Sequence, residues 1–586
     1  MALSDETKKR PKRVRLTDFT CIEEPHPYGV LPGGNRFFGS TPVAKTREEL
    51  LLDEKLWQQV ISFCDGPSHA RLVQTSRYLY VVGHQPELWR DQVLRKCDAA
   101  KTVISRVGSS WKDTYVRMFH ETKFKPHKPM PIPNIYSDNI YRSHLCRSFA
   151  VPSQWLEQTI DDENTASNNS VKEVDTIKTQ DMTPDKFFQD FEVRNQPVVV
   201  KGAANGKAVD KWKDWNSLTD KNRKKSYRST SGAAPLPGNF SLEAYRDYTL
   251  STEYLEESPL YLFDRTAFAT NQEWNDDFFP EFYEKCLYWD PSGEHGHDLL
   301  QHLGAKERPD HTWIIMGPKR SGSVFHIDPN ATHAWNACIR GRKRWIFYPP
   351  GEPRKLLKLL LRISVLFDSK HSSHCIHFFP KSFPAPGVFP SADGDEVALP
   401  LSVGEWIIQY WKEHMEQYRK RPANRRPMEC TTHPGDVVFV PHGWWHSVIN
   451  LDESNIAITH NYISPSNLGN ALKFFREKQD QISGCRDRKE SIKPEFIHDA
   501  LVQELKNKEP VHLDRAMKQT SWTCRAWAET KEEAVITDDD DEHPNNDETS
   551  KNKKRKIDDT GEVQKEALSS VMSKTEKVPA FSFSFL

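Results

Sequence analysis

The sequence contains no Cys-x-x-Cys pair: its ten cysteines are scattered from Cys21 to Cys524. Neither a zinc ribbon nor a thioredoxin-like redox motif is supported, and a reduced, intracellular protein is expected. No uncharged apolar run reaches the ~18 residues that a membrane helix needs. The N-terminus, MALSDETKKRPKRVRLTDF, carries charge where a signal peptide requires an apolar core, so a soluble chain without a membrane partner is expected. Net charge is also nearly absent, since 81 Lys+Arg stand against 82 Asp+Glu, which removes any global attraction to nucleic acid. RRM, KH and zinc-finger patterns are missing, so RNA binding has no support beyond the basic termini. With a mean hydropathy of −0.72, much of the chain is solvated, and the ends are the expected place.

At 586 residues the chain exceeds what one ordinary core accommodates, and several units are expected. Residues 1–46 are rich in Pro, Gly and charge and read as a disordered basic N-terminus. Residues 47–125 have helical periodicity, 126–181 read as a linker, and 182–465 hold the strand-rich part. Two helical patterns occupy 466–530, and 531–586 form a charged low-complexity tail. The clusters KKRPKRVR (Lys8 to Arg15) and KNKKRK (Lys551 to Lys556) read as import signals, giving a nuclear, or nuclear and cytoplasmic, location.

In the helical part, Leu52, Leu56, Val60 and Phe63 recur on one stripe. A second helix runs through Leu72, Val73, Ser76 and Leu79, and after a break at His84 to Pro86 a third carries Leu88, Trp89 and Val93. The ordered segments LLDEKLWQQVISFCD, RLVQTSRYLY and PELWRDQVLRK resemble an F-box over residues 48 to 95, with Asp53 where the usual pattern has Pro. That resemblance implies a Skp-type adaptor as partner. It also gives a second functional reading, in which the chain recruits substrates to a cullin ubiquitin ligase.

From residue 182 a helix capped by Thr183 and Pro184 leads to a β-branched run, Pro197 to Lys201. SPLYLFD, TWIIMGP, SVFHIDP, KRWIFYPP, GDVVFVPHGWWHSVINLD and NIAITHNYIS follow as short strands, the pattern of a jelly-roll or cupin barrel. Leu468, Leu472 and Phe475, then Ile497, Leu501 and Leu505, give two helices that could cover the barrel's open end. Residues 352–385 interrupt this pattern and read as a surface insertion or a retained intron. The histidines within them, His371, His374 and His377, carry little weight as a metal cluster.

Residues i and i+2 of a strand share a face, so His326 and Asp328 project together as two of the three ligands of a two-histidine, one-carboxylate iron site. The third must come from far away in sequence. His446 starts the strand HSVINL, and its rival His442 sits in a turn beside Gly443. Taken alone, each histidine reads better as a hydrogen-bonded strand-end residue than as a ligand. Lys343 shares a face with Trp345 and Phe347, and a lysine on such a face calls for an anionic partner.

WIIMGPKRSGSVFHIDPNATHAWNACIRGRKRWIFYPP and HPGDVVFVPHGWWHSVINLDESNIAITHNYIS together resemble the JmjC family of iron(II)- and 2-oxoglutarate-dependent oxygenases. Within it the likeness is to the subgroup of the arginine demethylase and lysyl hydroxylase, over Met182 to Ser464. The resemblance implies a multidomain α+β chain: a double-stranded β-helix with a small N-terminal helical F-box and C-terminal helices. It implies His326, Asp328 and His446 as iron ligands and Lys343 and Thr459 on the distal carboxylate of 2-oxoglutarate, with Asn336 and Ser323 nearby. Tyr261 and Trp445 would shape the pocket, and His460 would be a strand residue without a role. Iron(II), 2-oxoglutarate and O2 are then the cofactors and co-substrates, and a protein, for instance a histone or another nuclear protein, is the substrate to be hydroxylated or N-demethylated.

Overall fold

The computed structural model describes residues 13–16, 19–22, 25–33, 52, 54–120, 128–148, 172–213, 218, 221–231, 234, 236–251, 256–291, 298–350, 385–391, 396–422, 425–486 and 488–518. Residues 352–384, with His371, His374 and His377, the cluster Lys551 to Lys556 and the tail from 531 lie outside the described residues.

The strand-rich part forms two facing sheets. Its strands in chain order are β1 (Lys172–Glu173), β2 (Asp175–Lys178), β3 (Val198–Lys201), β4 (Ser226–Thr230), β5 (Gly238–Ser241), β6 (Tyr261–Asp264) and β7 (Thr312–Gly317). There follow β8 (Gly322–His326), β9 (His333–Arg340), β10 (Lys343–Tyr348), β11 (Met428–Thr432), β12 (Val437–Val440), β13 (Trp445–Asn450) and β14 (Asn455–Tyr462). Among the described residues one sheet has the order β8-β13-β10-β11-β1 and the other β2-β3-β12-β9-β14-β7-β6-β4-β5. The antiparallel neighbours leave one face of each sheet turned inward, as in a double-stranded β-helix. Trp345, Phe347, Val438, Val440 and Val448 form one of its inner apolar clusters.

The helical region follows the expected order with one difference. Helices α1 (Glu54–Phe63), α2 (Gly66–Leu72), α3 (Arg77–Gly83) and α4 (Pro86–Ala100) split the expected second helix in two. Ser76 begins a new helix, its hydroxyl accepting the Leu79 N–H. The stripe of α1 faces outward, with Leu56, Val60 and Phe63 exposed and Ile61 buried. By contrast, Trp89, Val93 and Leu94 of α4, with Trp111 and Tyr115 of α5 (Trp111–Phe119), join the same apolar core as Tyr227, Phe240, Ile314 and Trp335 of the large sheet.

The stretch read as a linker contains α6 (Asp138–Ser148) and strands β1 and β2. Both strands pair in parallel at sheet edges, against β11 and β3. Helices α7 (Leu242–Leu250), α8 (Gln272–Lys285) and α9 (Val403–Lys420) were not expected from the strand pattern. The C-terminal helices α10 (Leu468–Glu477), α11 (Pro494–Lys508) and α12 (Pro510–Met517) bury Leu468, Leu472, Phe475, Ile497, Leu501 and Leu505 in one cluster with Leu299, Leu300 and Ala331. That cluster lies directly beside the turn after Asp328.

Candidate active site

His326 and His446 are directly opposite one another in the antiparallel pair β8·β13. The expected strand does not continue through Asp328. It ends at His326, and Asp328, still extended, caps a single turn, Pro329–Ala331. Asn330 and Ala331 in that turn have positive φ, a costly conformation for side-chain-bearing residues. The C-terminal region holds it in place: the Asn330 amide exchanges two hydrogen bonds with the backbone of Ser483, and Asn467 donates to the Ala331 carbonyl.

The three side chains present ligand atoms within 4.8 Å of one another, and each histidine Nε2 is 3.8 Å from Asp328 Oδ1. The Nδ1 of His326 lies 2.8 Å from the Val324 carbonyl and that of His446 3.1 Å from the Trp444 carbonyl. Both Nδ1–H groups therefore donate outward, and both Nε2 lone pairs face the carboxylate. Burial, then the neighbouring His446, pushes His326 down to about 4, and burial does the same to His446, so both rings are neutral at neutral pH. Burial pushes Asp328 up to about 6 against the pull of His326 and a hydrogen bond from Asn461. Two neutral imidazoles and one carboxylate make a donor set suited to iron(II) with open positions. His442 is directed elsewhere, with its Nε2 2.7 Å from the Asn470 amide.

These residues lie in one cleft that Tyr261, Ser323, Asn336, Lys343 and Thr459 also line. Lys343 is 1% exposed. Its ammonium donates to the Tyr261 hydroxyl at 2.9 Å, and no carboxylate among the described residues pairs with it. The buried Oδ1 of Asn336 has no hydrogen-bond partner among the described residues. A buried cation without its anion and an unsatisfied amide beside a three-ligand cluster fit a small dicarboxylate such as 2-oxoglutarate.

Trp445 requires correction. It belongs to the cluster on the far side of the small sheet, against Trp406, Ile346 and Ile407. Its neighbour His446 points into the cleft, and alternation turns Trp445 outward. Asn461 and Trp313 line the cleft and were missed. The signal was available, since Asn461 is two residues beyond Thr459 on β14, and Trp313 is Thr459's cross-strand partner. His460 faces the opposite side, stacked on Trp335, with its ring nitrogens 2.8 Å from Thr312 Oγ1 and 3.3 Å from Asp298 Oδ2. Burial would raise Asp298, but Arg308, 2.7 Å away, holds it well below the usual carboxylate range.

Residues 184–467 match the family model described as a cupin-like domain. The chain is 32% identical over 516 residues to the arginine-specific demethylase JMJ22 of Arabidopsis thaliana, covering 85% of each chain. It is 32% identical over 300 residues to the bifunctional arginine demethylase and lysyl-hydroxylase psr-1 of Caenorhabditis elegans, covering 50% of this chain and 62% of that one. It is also 24% identical over 330 residues to the 2-oxoglutarate and iron-dependent oxygenase JMJD4 of Gallus gallus, covering 54% and 66%. A relative at this identity over most of both chains, joined to a cupin barrel with an open His-Asp-His cluster, places the protein in the JmjC family of iron(II)- and 2-oxoglutarate-dependent oxygenases.

Proposed function

We propose that the protein hydroxylates a C–H bond of a lysine or arginine side chain in a protein substrate, with N-demethylation as the outcome where that carbon is an N-methyl group. His326, Asp328 and His446 hold the iron. Lys343 and Thr459 bind the distal carboxylate of 2-oxoglutarate, with Asn336 and Ser323 beside it. When bound, the metal and co-substrate supply the oxidising chemistry. The chain keeps both Nε2 lone pairs aimed at one point, provides the buried ammonium, and surrounds the site with Trp313, Trp345 and Val440, which exclude water. The observation that carries this reading is the pairing of a three-ligand cluster with a buried lysine that has no carboxylate partner among the described residues. The names of the relatives support lysine and arginine as target side chains.

The test is succinate release from 2-oxoglutarate by the iron-loaded protein with a panel of nuclear-protein peptides, followed by mass spectrometry. Gain of one oxygen identifies hydroxylation and loss of a methylene identifies demethylation. Turnover that persists in His326→Ala would remove the metal assignment. A nuclear location follows from the two basic clusters and is tested by imaging the protein with and without Lys551 to Lys556.

A second reading, a Skp-type adaptor bound through the F-box-like helices, is favoured by the exposed Leu56, Val60 and Phe63 of α1. Deleting residues 48–95 would remove part of the shared core, so the informative variant is Phe63→Glu. Co-purification of the adaptor with the wild type and its loss from Phe63→Glu are expected, and equal recovery would dismiss this reading.

A further inference from the structure

The co-substrate cleft is joined to the N-terminal helices by a continuous run of buried polar contacts. Glu256, fully buried just before β6, accepts hydrogen bonds from the Trp111 indole of α5 at 2.8 Å and the Tyr248 hydroxyl of α7 at 2.5 Å. The Arg90 guanidinium of α4 lies 3.9 Å from it. The Tyr248 oxygen in turn accepts the Leu260 N–H at 2.8 Å. Three residues earlier on α7, Tyr245 accepts the Leu262 N–H at 3.0 Å and donates to the Met316 carbonyl at 2.7 Å. Two phenols of one helix thus hold the backbone on both sides of Tyr261, whose hydroxyl meets Lys343. Gly317 closes the arrangement from below, since a Cβ there would stand 2.6 Å from the Tyr261 ring.

Such an arrangement is not what stability alone selects. A buried carboxylate costs more than apolar packing of the same volume unless every partner is in place, and burial pushes Glu256 up to about 7. What it supplies is geometric precision. We propose that Glu256 is a positioning residue for the co-substrate: through Tyr248 and the Leu260 amide it sets Tyr261, and thereby the direction of the Lys343 ammonium. Helices α4 and α5 are then part of the pocket's support. This role rests on the reading of Lys343 as the anchor of 2-oxoglutarate.

The experiment is a calorimetric titration of the full chain, loaded with Mn(II) and without oxygen, with 2-oxoglutarate. Tyr248→Phe keeps the ring and its packing but loses the hydroxyl, and Glu256→Gln loses the charge. Each is expected to raise the Kd for 2-oxoglutarate ~10-fold and to leave the Kd for Mn(II) unchanged. Val93→Ala, in the same core but outside the chain of contacts, should lower Tm and leave the 2-oxoglutarate Kd alone. An unchanged Kd in both Tyr248→Phe and Glu256→Gln, or an equal rise in Val93→Ala, overturns the positioning role. Lys343→Ala separates the two levels. If it binds 2-oxoglutarate as the wild type does, the anchor reading and this role fall together. If it alone loses binding, only the positioning role falls.

Discussion

Lys343 and Arg344 are consecutive residues on β10, one on each face, and both are buried cations. Arg344, facing α9, has its anion inside the protein. Its guanidinium donates to Glu429 Oε2 at 2.5 and 3.1 Å and to Thr431 at 3.1 Å, and His414 closes the other oxygen at 2.9 Å. Burial alone would raise Glu429, but Arg344, with His414, overrides it and holds the carboxyl below its usual range. Lys343, facing the cleft, has a neutral hydroxyl instead. An ion pair completed within the chain serves packing. A buried cation with no carboxylate beside it among the described residues is matched by an anion that arrives.

The largest test of this contrast removes the cluster that Lys343 faces: His446→Ala should abolish iron-dependent succinate formation, measured by mass spectrometry against wild type. Next, Arg344→Leu strands Glu429 and should lower unfolding stability by about 3–5 kcal/mol in urea titration. Lys343→Met should do the reverse, leaving the ligand-free protein as stable as wild type to within about 1 kcal/mol while 2-oxoglutarate no longer raises its Tm. If the two variants destabilise equally, the distinction between the faces fails.

A smaller effect concerns pH. Burial pushes Glu192 up to about 7, even though the Tyr462 hydroxyl donates to it at 2.6 Å. A raised folded pKa means that its contribution is full below the unfolded value, 4.5, and is lost as pH rises through about 7. The Tm of Glu192→Gln should therefore gain on that of the wild type from acidic to mildly alkaline pH. The smallest effect is expected of Trp445→Phe. The ring is on the outer face, so kcat/KM should stay within about twofold, and a larger fall would return Trp445 to the cleft.

Much of the inward face was legible because alternation is local: the KRW lysine and the pair Thr459 and Asn461 follow from i, i+2 spacing, whereas Asp328 joins His326 from the turn after β8. The same rule contradicts the placing of Trp445 beside His446 in one pocket. Helix α9 was also legible in principle from the Ser-x-x-Glu start at Ser402 and Glu405, where the Glu405 N–H bonds to the Ser402 hydroxyl and the Glu405 carboxylate accepts the N–H of Leu401, the residue before the cap. The Arg344–Glu429 pair and the Glu256 contacts were not legible, because their partners are brought together only by the tertiary fold. Nor does the alternation show that strand β8 ends at His326, which depends on the turn tied to Ser483 and Asn467.

The opposition of His326 and His446 across β8·β13 also links metal binding to folding. As proposed ligands on different strands, the two exist as a pair only in chains whose register is correct, so a bound ion would stabilise the native form and not its slipped or unfolded competitors. At a free metal concentration a hundred times Kd, that shift is about 2.7 kcal/mol, enough to alter steady-state abundance. Added Fe(II) is therefore expected to raise the Tm of the wild type and not of His326→Ala, measured by thermal melts with and without the metal.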